Sequence, residues 1–199
     1  MFIDDLCTSL QFSTPSLFAD DLKIFRKIEK LNDCLLLQSD IDRVHSWATK
    51  NGMVLNLTKT KYITFTRKTN WINFHYKLGN TEIPKTNIIK DLGILFDSKL
   101  FFHHHVDHLF SASIKMLGII RSITYQFSNT DFLVLLYKVL IRPKLEYASV
   151  AWNSITTTDS NLIERIQNKF FRLCHCKSTR NMYNLDYDIL VSTLNCPLP

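Results

Sequence analysis

Ser16-Leu17-Phe18-Ala19-Asp20-Asp21-Leu22-Lys23-Ile24-Phe25 is an apolar run, two adjacent carboxylates and a second apolar run. The pattern predicts a strand, an acidic turn and a second strand. A tight turn presents carboxylate oxygens rigidly, and a side chain as small as that of Ala19 lets another backbone come close. One or two carboxylates are what Mg²⁺ takes from a protein when substrate phosphates and water fill its remaining positions. Read alone, an Asp-Asp turn is more often a solvated hairpin tip.

Downstream of the hairpin, Leu31, Cys34, Leu35, Ile41, Val44 and Ala48 recur at helical spacing, with Asn32 suited to cap the helix and Gly52 to end it. Tyr62 to Thr66 is rich in β-branched and aromatic residues. Ile72, Phe74, Tyr76 and Leu78 alternate with polar neighbours at the period of a half-buried strand, and Gly79-Asn80 suits a two-residue turn into Thr81 to Ile83. Ile88 to Phe96 is expected to complete one small antiparallel sheet. From about His103 the chain reads as helix after helix. Val106, Leu109, Phe110, Ser113, Leu117 and Ile120 mark one face, Phe132 to Ile141 reads as a buried central helix, Pro143 must begin or kink a helix, and Ile163, Ile166, Phe170 and Leu173 form a last stripe. The expected fold class is α+β, with a boundary near Ser98.

The chain has 199 residues, 46% of them hydrophobic and 21% charged, with only 4 Gly and 5 Pro, which suits a packed core and leaves little room for low-complexity sequence. Its 24 Lys plus Arg against 18 Asp plus Glu give +6, an excess that permits a phosphate backbone as partner. No basic stretch followed by an apolar one opens the chain, so an intracellular protein is expected, and no run is long enough to cross a membrane. Five cysteines at scattered positions predict reduced thiols. His103, His104, His105 and His108, and separately Cys174-His175-Cys176 with Cys196, invite a zinc reading. Consecutive histidines diverge on a helix, and Cys174 fits the apolar stripe, so a helix start and core burial are the favoured readings.

Phe18-Ala19-Asp20-Asp21 resembles the aromatic-x-Asp-Asp motif of reverse transcriptases, and the segments after it fall in the order of the jockey-like, non-LTR branch of that family. Asp33 to Ile41, running on through Trp47, Asn51 and Gly52, is similar to the palm helix, Leu55-Asn56-Leu57-Thr58-Lys59-Thr60-Lys61 to the next palm motif, and Ile89 to Asp97 to the segment near the primer grip. Lys115-Met116-Leu117-Gly118, Leu136-Tyr137, Arg142 to Ser149 and Trp152 resemble the helical thumb. The resemblance implies a partial polymerase palm over residues 1–97, a small antiparallel sheet with a helix. An all-α thumb-like bundle and the start of the post-thumb region follow over residues 98–199. It implies an RNA-directed DNA polymerase with Asp20 and Asp21 as catalytic, metal-holding carboxylates for Mg²⁺ or Mn²⁺, and with Lys59 beside the departing pyrophosphate. Lys115, Arg121, Arg142, Lys144, Lys169 and Arg172 would contact the RNA template and DNA primer through phosphates.

The pattern also departs from the family. An Asp on an earlier palm strand and a glycine-rich template-binding motif are not found, and Phe2-Ile3-Asp4-Asp5-Leu6 resembles the connection that follows that motif. The expectation is therefore a fragment of a mobile-element polymerase that lacks the N-terminal half and is inactive alone, with an unpaired edge beside the hairpin. Two alternatives stand beside it: a working polymerase whose start lies upstream, and a basic helical nucleic-acid-binding module that uses only the region after Ser98.

Overall fold

The apolar and polar spacing just read becomes thirteen short elements in the computed structural model, which describes residues 4–126 and 129–179. Cys196, the tail beyond Thr179 and the Phe2-Ile3 pair lie outside the described residues. The described part is a mixture of helices and small antiparallel sheets, as an α+β fold requires. It divides into two compact units, Met1–Asn87 and Ile88–Pro199.

In the first unit a short helix, α1 (Asp4–Thr8), leads into the acidic hairpin, β1 (Thr14–Phe18) and β2 (Asp21–Phe25). Helix α2 (Leu31–Lys50) follows. It starts two residues earlier than expected, with Lys30 and not Asn32 at the cap position. Asn32 lies inside the helix, and Asp33 instead reaches back to accept from the N–H groups of Glu29 and Lys30, both at 3.0 Å. Gly52 ends it as expected, with φ +65, its N–H on Thr49 O at 3.2 Å and the Met53 N–H on Ala48 O at 2.8 Å, a Schellman arrangement. The buried stripe is Cys34, Val44 and Ala48 together with Asp40, whereas Leu31 and Leu35 face water.

The single sheet expected for the rest of this unit does not form. The described strands make three separate two-stranded hairpins. Ile72, Phe74, Tyr76 and Leu78 do turn inward in alternation, around a cluster centred on Cys34, Tyr76, Leu78 and Ile83. Only Lys77–Leu78 (β3) pairs, with Thr81–Glu82 (β4), across the expected Gly79-Asn80 turn. Side chains take the backbone groups that a longer ladder would use. Gln38 bonds both the N–H and the carbonyl of Lys77, at 2.9 and 2.8 Å, and the Tyr62 hydroxyl donates to Phe74 O at 2.9 Å. Tyr62 to Thr66 contributes one bridge, Tyr62 to Lys85, and no strand.

The second unit opens with the segment expected to be one strand. It is a hairpin, β5 (Ile88–Asp91) and β6 (Ile94–Asp97), because Leu92 and Gly93 both take positive φ and reverse the chain. Helices α3 (His103–Ile123), α4 (Thr130–Leu140), α5 (Arg142–Glu146), α6 (Ser149–Trp152) and α7 (Thr157–Thr179) complete it. Asp97 accepts from the N–H groups of Lys99, Phe101 and Phe102, which fixes the turn into α3. Pro143 sits in the first turn of α5, and Ala148, at φ +50, separates α5 from α6.

The α3 and α7 stripes are buried except at Phe110 and Leu173, which are half-buried, and Phe170, fully buried, stacks on Tyr137 at 4.5 Å. Helix α4 is less buried than its sequence suggested. Leu133, Val134 and Tyr137 face the core while Phe132, Leu135 and Val139 are exposed, because its neighbours α3, α5 and α7 cover one side only. Replacing Phe170 by Ala removes a ring at the centre of this core and is expected to cost about 3–5 kcal/mol. Urea unfolding followed by far-UV circular dichroism reads this, and a loss under about 1 kcal/mol would show that the helices do not share that core.

Candidate metal and nucleic-acid site

Thr14 to Phe18 pairs with Asp21 to Phe25 in antiparallel register, Phe18 opposite Asp21, leaving Ala19 and Asp20 as a two-residue turn. Pro15, Leu17, Leu22 and Ile24 make its half-buried face, and Phe18 and Phe25 stand on the other, both exposed. Ala19 carries φ +53, the left-handed value that a tight hairpin turn requires at this position, at a cost of about 1–2 kcal/mol for a residue with a Cβ. Asp20 and Asp21 are exposed at the tip. No hydrogen bond or ion pair engages either carboxylate among the described residues, and no group of three His, Cys, Asp or Glu side chains there is placed to hold a metal. The donor set fits a hard divalent cation in kind, two adjacent carboxylates with open space before them, and provides part of a coordination shell.

The base of the hairpin is held by residues to which the motif reading assigned no part. Asp40, fully buried on α2, accepts from the N–H groups of Gln11 and Phe12 at 3.0 and 2.9 Å and from Arg43 Nη1 at 2.9 Å. Burial alone would raise its pKa. The two backbone donors, then the Ser13 hydroxyl and the Arg43 charge, outweigh that and hold the carboxyl below its ordinary value. The Arg43 guanidinium also lies 5.0 Å from the Phe12 ring centroid. From the second strand's end, Arg26 donates to Phe12 O and pairs with Asp33 at 2.9 Å. The hydrogen bond from Arg26, then those from the Lys30 and Glu29 N–H groups, pull the Asp33 pKa down to about 2. The only sequence signal for this clamp was a pair of helical acids, Asp33 and Asp40, seven residues apart and therefore on one face.

Lys59 is exposed in a turn built by Asn56, whose side-chain oxygen accepts from the N–H groups of Thr58 and Lys59, both at 3.1 Å. No hydrogen bond or ion pair joins it to Asp20 or Asp21 among the described residues.

In the second unit, α3 and α7 pack side by side, and Lys177 closes their ends by donating to Thr124 O. Between them runs a groove of about 690 Å³ whose lining includes Arg121, Lys169 and Arg172. Three of the six basic residues singled out by sequence are thus brought together. Lys115, Arg142 and Lys144 lie outside that lining, and Arg142 pairs instead with Glu146 at 2.5 Å.

The histidines divide by role. His103 pairs with the buried Asp159 at 2.6 Å. His104 and His108 are exposed. His105 is buried against Trp152, and its pKa is lowered by burial and then by His108. Burial pushes the Cys174 thiol up to about 12, which makes it a poor metal ligand at neutral pH. No helix among the described residues is long and apolar enough to cross a membrane.

The acidic hairpin, the helix that follows it and the ordered motifs after that resemble the RNA-directed DNA polymerases of non-LTR mobile elements, and comparison with known proteins bears out this resemblance. The chain is 27% identical over 161 residues to the RNA-directed DNA polymerase from mobile element jockey of Drosophila funebris. It is 26% identical over 160 residues to the probable RNA-directed DNA polymerase from transposon X-element of Drosophila melanogaster. Each match covers 78% of this chain and 17% of the relative. No family model matches, and no solved structure does.

Replacing Asp40 by Ala would leave the Gln11 and Phe12 N–H groups without their acceptor and Arg43 without its partner, at an expected cost of about 1–3 kcal/mol. Amide exchange at Gln11 and Phe12 should rise with it, and unchanged protection at both would show that the clamp is not formed. Because the folded pKa of Asp40 lies below the unfolded one, its contribution is complete above the unfolded value, near 3.9. It is lost as pH falls through the lower folded value. Protection of these two amides should therefore decline in acid and hold through neutral pH.

Proposed function

We propose that this chain is part of the polymerase module of a non-LTR mobile element, residues 1–97 forming a portion of the palm and the helices after Ser98 a thumb. The observation that carries the proposal is the exposed pair Asp20 and Asp21, without a hydrogen-bonding or ionic partner among the described residues, at the tip of a hairpin whose base is fixed by the Asp40 clamp. Carboxylates in this position have oxygens free to accept a cation, and the resemblance of Phe18 to Asp21 to the aromatic-x-Asp-Asp motif supplies the reason to expect one.

In this reading Asp20 and Asp21 hold Mg²⁺ or Mn²⁺. The cation supplies charge neutralisation at the phosphates and a more acidic primer hydroxyl. The chain's own residues do the positioning. Asp20 and Asp21 fix the place of the ion at the turn, with Asp20 at its outermost residue. Ala19 leaves room for the primer backbone beside it, and the Asp40 clamp holds the hairpin still. Lys59, presented by the Asn56 turn, offers its ammonium to the departing pyrophosphate. Lys115, Arg121, Arg142, Lys144, Lys169 and Arg172 face the phosphates of template and primer, RNA and DNA respectively. Two carboxylates do not bridge a pair of ions and align a hydroxyl, so we propose that the 199-residue chain does not polymerise unless a longer protein adds the remaining ligand.

Mn²⁺ titration followed by NMR tests the cation site. The amide signals around Asp20 and Asp21 should broaden first, and the Asp20→Asn, Asp21→Asn double variant should remove that preference. Broadening that begins elsewhere, or survives the substitutions, would sink it. Primer extension on an RNA template tests the second part. No incorporation above that of Asp20→Asn is expected, and extension that Asp20→Asn abolishes would show that the chain is already complete.

A further inference from the structure

The groove between α3 and α7 has a composition that duplex tracking alone does not explain. Its floor is apolar, with Leu117 buried and Leu173 half-buried, and its rim carries Arg121, Lys169 and Arg172. Among the described residues that line it there is no Asp or Glu. Arg121 and Arg172 are exposed and make no ion pair among the described residues, so their charge faces solvent unopposed. Tyr125, 73% exposed, stands in the lining just past the end of α3. Gly118 keeps the floor open: a Cβ added there would meet nothing within 4 Å.

A duplex presents phosphates outward and keeps its base faces stacked within, so along its length it offers little to an apolar floor or an exposed aromatic ring. An unpaired strand offers both kinds of surface at once, flat apolar bases and charged phosphates. The volume, about 690 Å³, is that of a site for a small organic molecule, which admits one or two nucleotides and no helix.

We propose that this groove binds single-stranded nucleic acid, with a base on Tyr125 and the Leu117–Leu173 floor and its flanking phosphates on Arg121, Lys169 and Arg172. The proposal rests on the nucleic-acid reading above and narrows it: these three cations serve an unpaired strand, while Lys115, Arg142 and Lys144 remain for duplex phosphates.

Fluorescence anisotropy with a labelled ten-nucleotide oligouridine, the matching RNA–DNA duplex and a polyglutamate peptide separates the possibilities, using the full chain at several salt concentrations. Gly118→Leu fills the groove without removing a charge, and the helix favours Leu over Gly, so the variant should fold. It is expected to weaken oligouridine binding at least about tenfold and leave duplex binding unchanged. Tyr125→Ala should cost about fivefold or more on the oligouridine alone, the loss of one stacked base. The Arg121→Ala, Arg172→Ala variant should reduce the salt slope for oligouridine by about 1.4, two phosphate contacts at about 0.7 each. Equal losses for oligouridine and duplex in Gly118→Leu, or an unchanged affinity in Tyr125→Ala, would overturn the single-strand site while leaving the wider nucleic-acid reading standing. Polyglutamate binding tighter than oligouridine, sensitive to Gly118→Leu, would overturn it in favour of an acidic protein partner. Absence of binding to both nucleic acids would overturn the two readings together.

Discussion

A carboxylate shut away from water must gather donors, and the one on Asp40 gathers the N–H groups of Gln11 and Phe12 and the guanidinium of Arg43. An isolated two-stranded hairpin has little stability of its own. This hairpin therefore depends on where its base is tied, and Asp40 ties the chain two residues before β1 while Arg26 and Asp33 tie it just after β2. The strained turn at Ala19 can persist because both ends of the hairpin are fixed.

The same device recurs in the second unit. Asp97 accepts from three backbone N–H groups and so shapes the left-handed bends at Leu100 and Phe102, and Asp159 is paired with His103 and Thr156. Burial pushes the Asp97 carboxyl up, and the three N–H donors more than reverse it. Set against these engaged acids, Asp20 and Asp21 differ in kind. They are exposed and adjacent, and they lack any hydrogen-bonding or ionic partner among the described residues. The contrast shows that these two carboxylates carry no structural duty among the described residues, and the motif supplies the reason to read them as candidate ligands.

The hairpin was legible because alternation, turn chemistry and length all agree over Ser16 to Phe25, and the Gly79-Asn80 turn was legible for the same reason. The single sheet was misread because alternation reports which side chains turn inward and not what the backbone bonds to. Ile72 to Leu78 alternates as a strand does, yet Gln38 and Tyr62 occupy groups that a ladder would have used. Leu92-Gly93 was hidden inside an apolar run, since a single glycine among Ile89, Leu92, Ile94 and Leu95 gives no strong signal for a reversal. The clamp was illegible for a different reason. Asp40 looks like any helical acid until the fold brings Gln11 and Phe12 against it from some 28 residues away. The six basic residues could be counted from sequence, but only the pairing of α3 with α7 sorts three of them into one groove.

Stability is unevenly shared between the units, which bears on how each can act. Among the described residues the helical unit has a cluster of seventeen buried apolar residues, from Ile94 to Cys174, while the cluster in the first unit centres on four. Apolar burial is largely insensitive to pH, and buried ion pairs are not, so the first unit leans on the more conditional kind of support. Local opening begins where apolar contacts are few. The hairpin that carries Asp20 and Asp21 therefore sits in the unit with the smaller apolar cluster and relies on the ionic clamp at its base. The helices that carry the cations are held by the larger apolar cluster instead.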